Sequence, residues 1–352
     1  MVVTTCGETT GAAALGYEER LDYYTGGRLT EGSPKATSIT LSADTDCTVS
    51  STEQTFDMFV DSLPAFAGNA HLAGRANLAP LFERYVEPIQ YALSELGRDG
   101  LFRVMVGDNQ RAFGLPTLVK AVRIDRRNRD TFILPLNQKR HFEPLLQLFG
   151  HDGPFADKTA RIVWRGATTS SFRETSRYYV WKNFEKLQGP SFDIGFSGIV
   201  QLQNIERNAG VSPTELERCV KPRLSQVQML QYKYLLSLEG NDVASGLKWM
   251  LGSNSLVLMP PPTCTSWACE VFLEPYRHYV PVREDLSDLQ EKFEWCEANP
   301  RLVEEIVANA TEFMQPFLDQ EQERRLVRDV VQTYVDSVEF DVPDEFRHLF
   351  FP

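Results

Sequence analysis

Two stretches of this chain gather side chains that could hold and transform a polar ligand. The first runs from Tyr232, Lys233 and Tyr234 through Glu239, Gly240, Asn241 and Asp242 to Ser253, Asn254 and Ser255. It is threaded between the apolar runs Leu235–Leu238 and Leu256–Met259. Open α/β sheets hold ligands on loops of this kind, anchored at strand ends by rigid backbone. A segment that only filled a core would not bury so many charges. The second stretch is Trp164 to Arg173, in which a strand delivers Arg165 and Gly166, then Thr169 and Ser170, then Arg173 at a helix start. Guanidinium groups beside hydroxyls and backbone N–H donors would suit a diphosphate. A capped helix with surface arginines accounts for the same spacing equally well. The segment is neither a Walker loop, since no Gly-Lys-Ser/Thr follows, nor the dinucleotide glycine fingerprint.

Elements that must position these groups are legible in the hydrophobic periodicity. Leu81, Phe82, Tyr85, Val86, Ile89 and Leu93 recur at helical spacing, so 78–96 is expected to be an amphipathic helix. Leu101–Val106 reads as a buried strand that stops at Gly107 and Asp108, placing a carboxylate at a strand end. Thr131–Leu136 reads as another strand, with Pro135 pushing its end toward an edge or loop. Ala160–Trp164 is a short strand, and helices are expected at 175–187, 287–296, 301–317 and 321–338. Asp242 is placed either as a ligand-binding carboxylate or as the N-cap of a helix over 243–251. Residues 1–50, rich in Gly, Thr and Ser, are expected to form a mobile tail with one short helix. The turn-rich Gly150–Pro154 patch is the best internal boundary. The resulting division is 1–50, 51–152 and 153–320, with 321–352 crossing back over the first unit. Strands and helices alternate in both units, which predicts an α/β protein with mostly parallel sheets.

Composition narrows the functional classes. The chain has 352 residues, more than one hydrophobic core serves efficiently, so two domains are expected. A net charge of −12 argues against general affinity for nucleic acid. No apolar run approaches the roughly 20 residues of a membrane-spanning helix. Met1–Ala14 lacks the basic-then-apolar pattern of a secretory signal, and the six cysteines show no metal-site spacing. These features point to a cytoplasmic protein with reduced thiols, compatible with peripheral association at the inner face of a membrane.

In the order of its motifs the chain resembles glycosyltransferase family 90, most nearly its bacterial lipopolysaccharide-modifying branch. The pieces that carry the resemblance begin with Arg20–Tyr24, Gly107 and Asp108, Pro116 with Lys120, and Arg140 with His141 and Phe142. Val106 and Leu136–Asn137 belong to the same pieces, followed by Phe155 with Lys158 and Trp164–Gly166 with Arg173. They continue through Tyr232–Tyr234, Glu239–Ala244, Lys248–Trp249, Ser253–Ser255, Ser266–Trp267, Glu270, His278–Pro281 and Asp285–Leu289. The Glu239–Asp242 and Trp164–Gly166 matches are the specific ones, and the ordered series spans about residues 18–320.

That resemblance implies a GT-B-like architecture, two Rossmann-like domains facing a cleft. It implies an inverting, metal-independent transfer of a sugar from a UDP-sugar to a hydroxyl of a glycan or lipopolysaccharide acceptor, with no cofactor. Asp108 matches the family's base, although a Gly-Asp turn is its plain structural alternative. Arg173 matches the arginine on the donor diphosphate, with Arg165, Gly166, Thr169 and Ser170 lining the loop. Ala167 and Thr168 depart from the animal branch, and Gly246 stands where that branch has a second donor arginine, with Lys248 or Lys233 as substitutes. Tyr232, Glu239, Gly240, Asn241, Asp242 and Ser253 complete the expected donor side, and Lys120, Arg140 and His141 are placed toward acceptor or phosphates. Trp267 is either a stacking platform or core, and His278 is structural. Asp44-Thr45-Asp46 spells the acidic pair of metal-dependent sugar transferases, but it follows no apolar strand and is discounted. Two rivals remain: a UDP- or glycan-binding protein without turnover, and a glycoside hydrolase using Asp108 and Glu239.

Overall fold

A computed structural model describes residues 15–29, 37–40, 48–50, 79–98, 101–105, 107–108, 112–136, 138–148, 152–341 and 344. In chain order its strands are β1 (Thr37–Thr40), β2 (Thr48–Ser50), β3 (Leu101–Arg103), β4 (Thr117–Val119), β5 (Ala121–Arg123) and β6 (Thr131–Ile133). Then follow β7 (Thr159–Ala167), β8 (Phe192–Gly198), β9 (Tyr232–Leu236), β10 (Leu256–Met259), β11 (Cys264–Ser266), β12 (Val280–Pro281) and β13 (Val338–Asp341). The largest sheet is parallel throughout, in the order β12-β10-β9-β7-β8. Parallel strands need helical crossovers, which fixes the class as α/β, in line with the alternation read from the sequence.

Side chains alternate across this sheet and close two cores. Val163, Leu235 and Val257 face one way, into a core shared with the helix Ala79–Glu95 and with Phe132, Ile133 and Trp267. Ile162, Trp164, Tyr234, Leu236, Leu256 and Leu258 face the other way, against Phe196, Val303 and Ile306. A period of two over runs of Val, Leu and Ile is the pattern of a strand buried on both faces. Upstream, β4 pairs in parallel with β6, and Val104 bridges in parallel to Leu118. β5 pairs antiparallel with β11, tying this region to the segment that follows β10.

Several boundaries move. The strand read at 160–164 continues to Ala167, so Arg165 and Gly166 lie in a strand and not in a loop. The helix expected at 175–187 is Ser176–Lys182 followed by a short 3₁₀ turn, Phe184–Leu187. The helix read from 243 begins at Leu247, with Gly246 at its N-cap, so Asp242 caps no helix. Helices Leu289–Ala298, Pro300–Met314 and Gln320–Ser337 lie close to their expected spans.

The short helix expected within residues 1–50 is present, but it is not part of a mobile tail. The helix Tyr17–Tyr24 is part of the core: Arg20 is 0% exposed, and its guanidinium lies 2.6 Å from Glu323 of the helix Gln320–Ser337. Tyr17 donates to Asp329 at 2.7 Å, and β1 pairs in parallel with β13. Low hydrophobicity hid this segment, because it is anchored by buried polar pairs and tyrosines. The Gln320–Ser337 helix also packs on Ala79–Glu95, and the Tyr334 hydroxyl accepts from Arg103 N at 2.9 Å. Asp44–Asp46, Val106, Asn137, Cys6 and Cys47 lie outside the described residues; the remaining four cysteines are free and buried.

Candidate active site

Two cavities flank the loop that leaves β9. One, about 250 Å³, is lined by Asp108, Lys120, Arg140, His141, Arg177 and Asn241 among others. Its neighbour, about 350 Å³, is lined by Ser170, Ser176, Ser237, Glu239, Thr263, Glu270 and Glu284 among others. Ser237, Gly240, Val243 and Ala244 border both. The first is rich in cations. The second carries carboxylates, with Arg123 as the cation among its lining residues.

Asp108 sits just beyond β3, after Gly107, whose φ of +92° is a turn conformation that glycine adopts without strain. Its Oδ1 accepts from Lys120 Nζ at 2.7 Å and its Oδ2 from Asn241 Nδ2 at 2.9 Å. Burial works against the ionised form. The Lys120 ammonium, hydrogen bonds from Lys120 and Asn241, and the field of Arg140 outweigh it and hold the carboxyl below its usual range. Asp108 is therefore an anion at neutral pH, with a quarter of its side chain open to the cavity mouth (27%).

Lys120 lies between β4 and β5, is almost fully buried, and also reaches Asp242 at 2.9 Å. Its charge is spent on two carboxylates, so it is not a free phosphate ligand. His141 is buried and, through burial first and then Lys120, Lys248 and Arg140, is pushed down to about 2. It is a neutral imidazole at pH 7, and its Nε2 has no hydrogen-bond partner among the described residues. Arg140, beside it on the turn Gln138–His141, is exposed and has no ion-pair partner among the described residues.

The loops after β7 and β9 are stitched together by Arg177, which the sequence reading missed. Arg177 donates to Ala167 O at 2.7 Å, Leu238 O at 2.9 Å and Glu239 O at 2.9 Å, and also to Thr169 Oγ1. Burial, then Arg140, lowers it to about 10, so it remains a cation. Gly240 is required at this contact, because a Cβ there would lie 2.7 Å from Thr169 Oγ1 and 3.1 Å from the Arg177 guanidinium. Gly166 answers a different need: a Cβ would collide with the Trp164 indole. It makes room for the Trp164 indole, and its backbone also lines the cation-rich cavity. Asn241 completes the stitch, its Oδ1 accepting from Ser170 N at 3.0 Å while its amide holds Asp108.

Most other expected site residues are held by structural partners, although Arg165 and Glu239 still line the two cavities. Arg165 donates to Pro222 O, Trp164 O, Asp193 O and Asp193 Oδ1 at 2.8–2.9 Å, so its guanidinium braces β7 against β8. Arg173 is exposed and lines neither cavity, yet it carries no partner among the described residues. Phe172 and Glu174 beside it both have positive φ, +52° and +53°, in a loop held by Ser170 Oγ. The helix start at Ser176 is already taken by Glu284, whose Oε1 accepts from Ser176 N and Oγ at 2.6 Å. Lys248 is buried against Glu270 at 2.7 Å. Glu239 anchors the 260–264 segment, accepting from Thr263 N and Cys264 N at 3.0 Å, and burial raises its pKa.

Tyr232, Lys233 and Ser253 lie at the opposite, N-terminal edge of β9 and β10. A strand of five residues spans roughly 13 Å at about 3.3 Å per residue, so these side chains cannot share the cavity with Glu239–Asp242. Lys233 stacks on Phe155 and Ser253 Oγ caps Met250 O at 2.7 Å. Trp267 is 1% exposed between Phe142 and Phe317 and is core. His278 is satisfied locally, its Nδ1 accepting from Glu274 N at 2.9 Å.

Comparison with known proteins adds three findings. The model of Glycosyl transferase family 90 matches residues 152–347. The chain is 34% identical over 238 residues to O-glucosyltransferase LpsA of Dichelobacter nodosus, covering 68% of each protein. It is 29% identical over 180 residues to human Protein O-glucosyltransferase 3, covering 49% of this chain and 32% of that one. The matched family segment holds both strand-end loops and the Arg173 segment, while Asp108, Lys120 and Arg140 precede it.

Proposed function

This chain belongs to glycosyltransferase family 90, and from that premise we propose that it transfers a sugar from a UDP-sugar to a hydroxyl of a glycan or lipopolysaccharide-type acceptor. The reaction is read as inverting and metal-independent, in a GT-B-like cleft between two Rossmann-like domains. A glucose donor is the first to try, given the names of the relatives. The observation that carries the reading is the ionised Asp108 at the mouth of the cation-rich cavity. A carboxylate there can take the acceptor hydroxyl's proton as that oxygen attacks the anomeric carbon.

The division of charge supports a polarity for the donor. The second cavity, whose lining includes the hydroxyls of Ser170, Ser176 and Ser237 and the carboxylate of Glu174, suits the hydroxyls of a nucleoside. A diphosphate suits Arg140, which lines the cation-rich cavity without an ion-pair partner among the described residues and would stabilise the departing charge; Arg173 joins it on the resemblance alone, since it lines neither cavity. Arg177 and Asn241 hold the floor between them rigid. The hydrolase reading loses its second carboxylate, because Glu239 is committed to Thr263 and Cys264.

Among the described residues no helix is long and apolar enough to cross a membrane. We place the protein in the cytoplasm, with its acceptor presented in solution or at a membrane surface. The test is a UDP-sugar panel scored for UDP release with and without glycan acceptors, alongside UDP-induced thermal stabilisation. Stabilisation without turnover from any donor would favour a binding protein, and neither response would refute the reading.

A further inference from the structure

We infer that Lys120 is a positioning residue that keeps Asp108 in its carboxylate form by neutralising the second carboxylate, Asp242, packed behind it. This rests on the reading of Asp108 as the base. Lys120 lies between β4 and β5, so its backbone is fixed on both sides, and the residue is buried to 3% exposure. It stands 2.7 Å from Asp108 Oδ1 and 3.0 and 2.9 Å from the two oxygens of Asp242. Asp242 is itself 3% exposed. Two carboxylates and one ammonium therefore share a single small volume.

Among the described residues the charged groups around Asp108 bear on this, and Tyr85 of the helix Ala79–Glu95 acts on Lys120. Lys120 and Asn241 contact it directly, Arg140 and His141 approach from the turn after β6, and Arg177 lies beneath. His141 is neutral and Arg177 is committed to loop carbonyls, so Lys120 is the cation in hydrogen-bond contact with Asp108. Without it, burial and the neighbouring negative charge both push Asp108 toward the protonated form. A protonated Asp108 cannot accept the acceptor's proton. The same ammonium draws the loop 239–244 to the end of β3, because Asp242 and Asn241 are adjacent in sequence and both point there.

The experiment compares wild type, Lys120→Met, Lys120→Arg and the double variant Lys120→Met/Asp242→Asn. The pH dependence of kcat/KM is measured with the donor that the wild type uses, and the Asp108 carboxyl is titrated in parallel by 13C NMR. Lys120→Met should move the acid limb and the carboxyl titration up by about one pH unit or more. Lys120→Arg should restore the wild-type limb. The double variant, which removes one charge of each sign, should fold where Lys120→Met does not and still titrate above wild type. An unmoved limb and an unmoved carboxyl in a folded Lys120→Met or double variant would overturn the inference. Failure of the wild type to release UDP from any donor would instead refute the reading on which it rests, while the NMR titration would still report on Lys120.

Discussion

Asp108 and Arg173 were both singled out by the sequence, and the structure treats them differently. A depressed carboxyl pKa means that the ionised form survives as pH falls, until the folded value itself is crossed. The acid limb of kcat/KM should therefore lie below the ordinary carboxylate value of about 4, and the stabilisation Asp108 contributes should likewise vanish only there. No limb is expected near pH 6.5, because His141 stays neutral down to about 2; a limb there would show His141 charged in the working enzyme. Arg173→Ala should weaken UDP binding by about tenfold, the loss of one charge-assisted contact, read by calorimetry. Unchanged affinity would leave Arg140 as the phosphate ligand. The residue type at each of these positions was legible from the chain. Which guanidinium is engaged was not, since Arg165, Arg173 and Arg177 differ only in which carbonyls the fold brings within reach.

At the level of elements, the strand ends decide what can act together. The short apolar runs reveal β7, β9 and β10, yet such a run does not say which end of a strand faces the ligand. Tyr232 and Ser253 therefore read as neighbours of Glu239 in the sequence, though a full strand length separates them. Arg177 escaped because nothing in Ser176–Lys182 marks one residue as turned onto the loops; only the pairing of β7 beside β9 does. Replacing it by Met strands three loop carbonyls and should cost about 3 kcal/mol in chemical denaturation, together with the UDP response. Gly166→Ala should cost about 1–3 kcal/mol by forcing Trp164 from its place, with UDP affinity per folded molecule little changed. A large loss of affinity at constant stability would return Gly166 to the ligand.

Across the whole molecule, chain ends far apart in sequence close one core. Arg20 and Glu323 form a buried pair, with the Arg20 guanidinium also stacked 4.2 Å from the Phe317 ring centroid. Glu323→Leu should destabilise by about 3–5 kcal/mol by leaving Arg20 uncompensated, and adding Arg20→Met should recover most of it. Failure of the second change to recover stability would show that the pair does more than neutralise itself. The class, the parallel sheet and the late helices were readable because they obey simple periods. The burial of Arg20, Leu21, Tyr23 and Tyr24 was not, because tyrosines and paired charges there mimic a polar surface. Across these scales, in the proposed reaction, the Asp108 carboxylate just beyond β3 works against a sugar held by the loops of β7 and β9. The most direct measurement is UDP release from a UDP-sugar panel by wild type and Asp108→Asn, with UDP-induced thermal stabilisation recorded for both. The account predicts release by the wild type, a loss of about 10²–10⁴-fold in the variant, and equal stabilisation. Full transfer by Asp108→Asn from a donor that the wild type uses would contradict it.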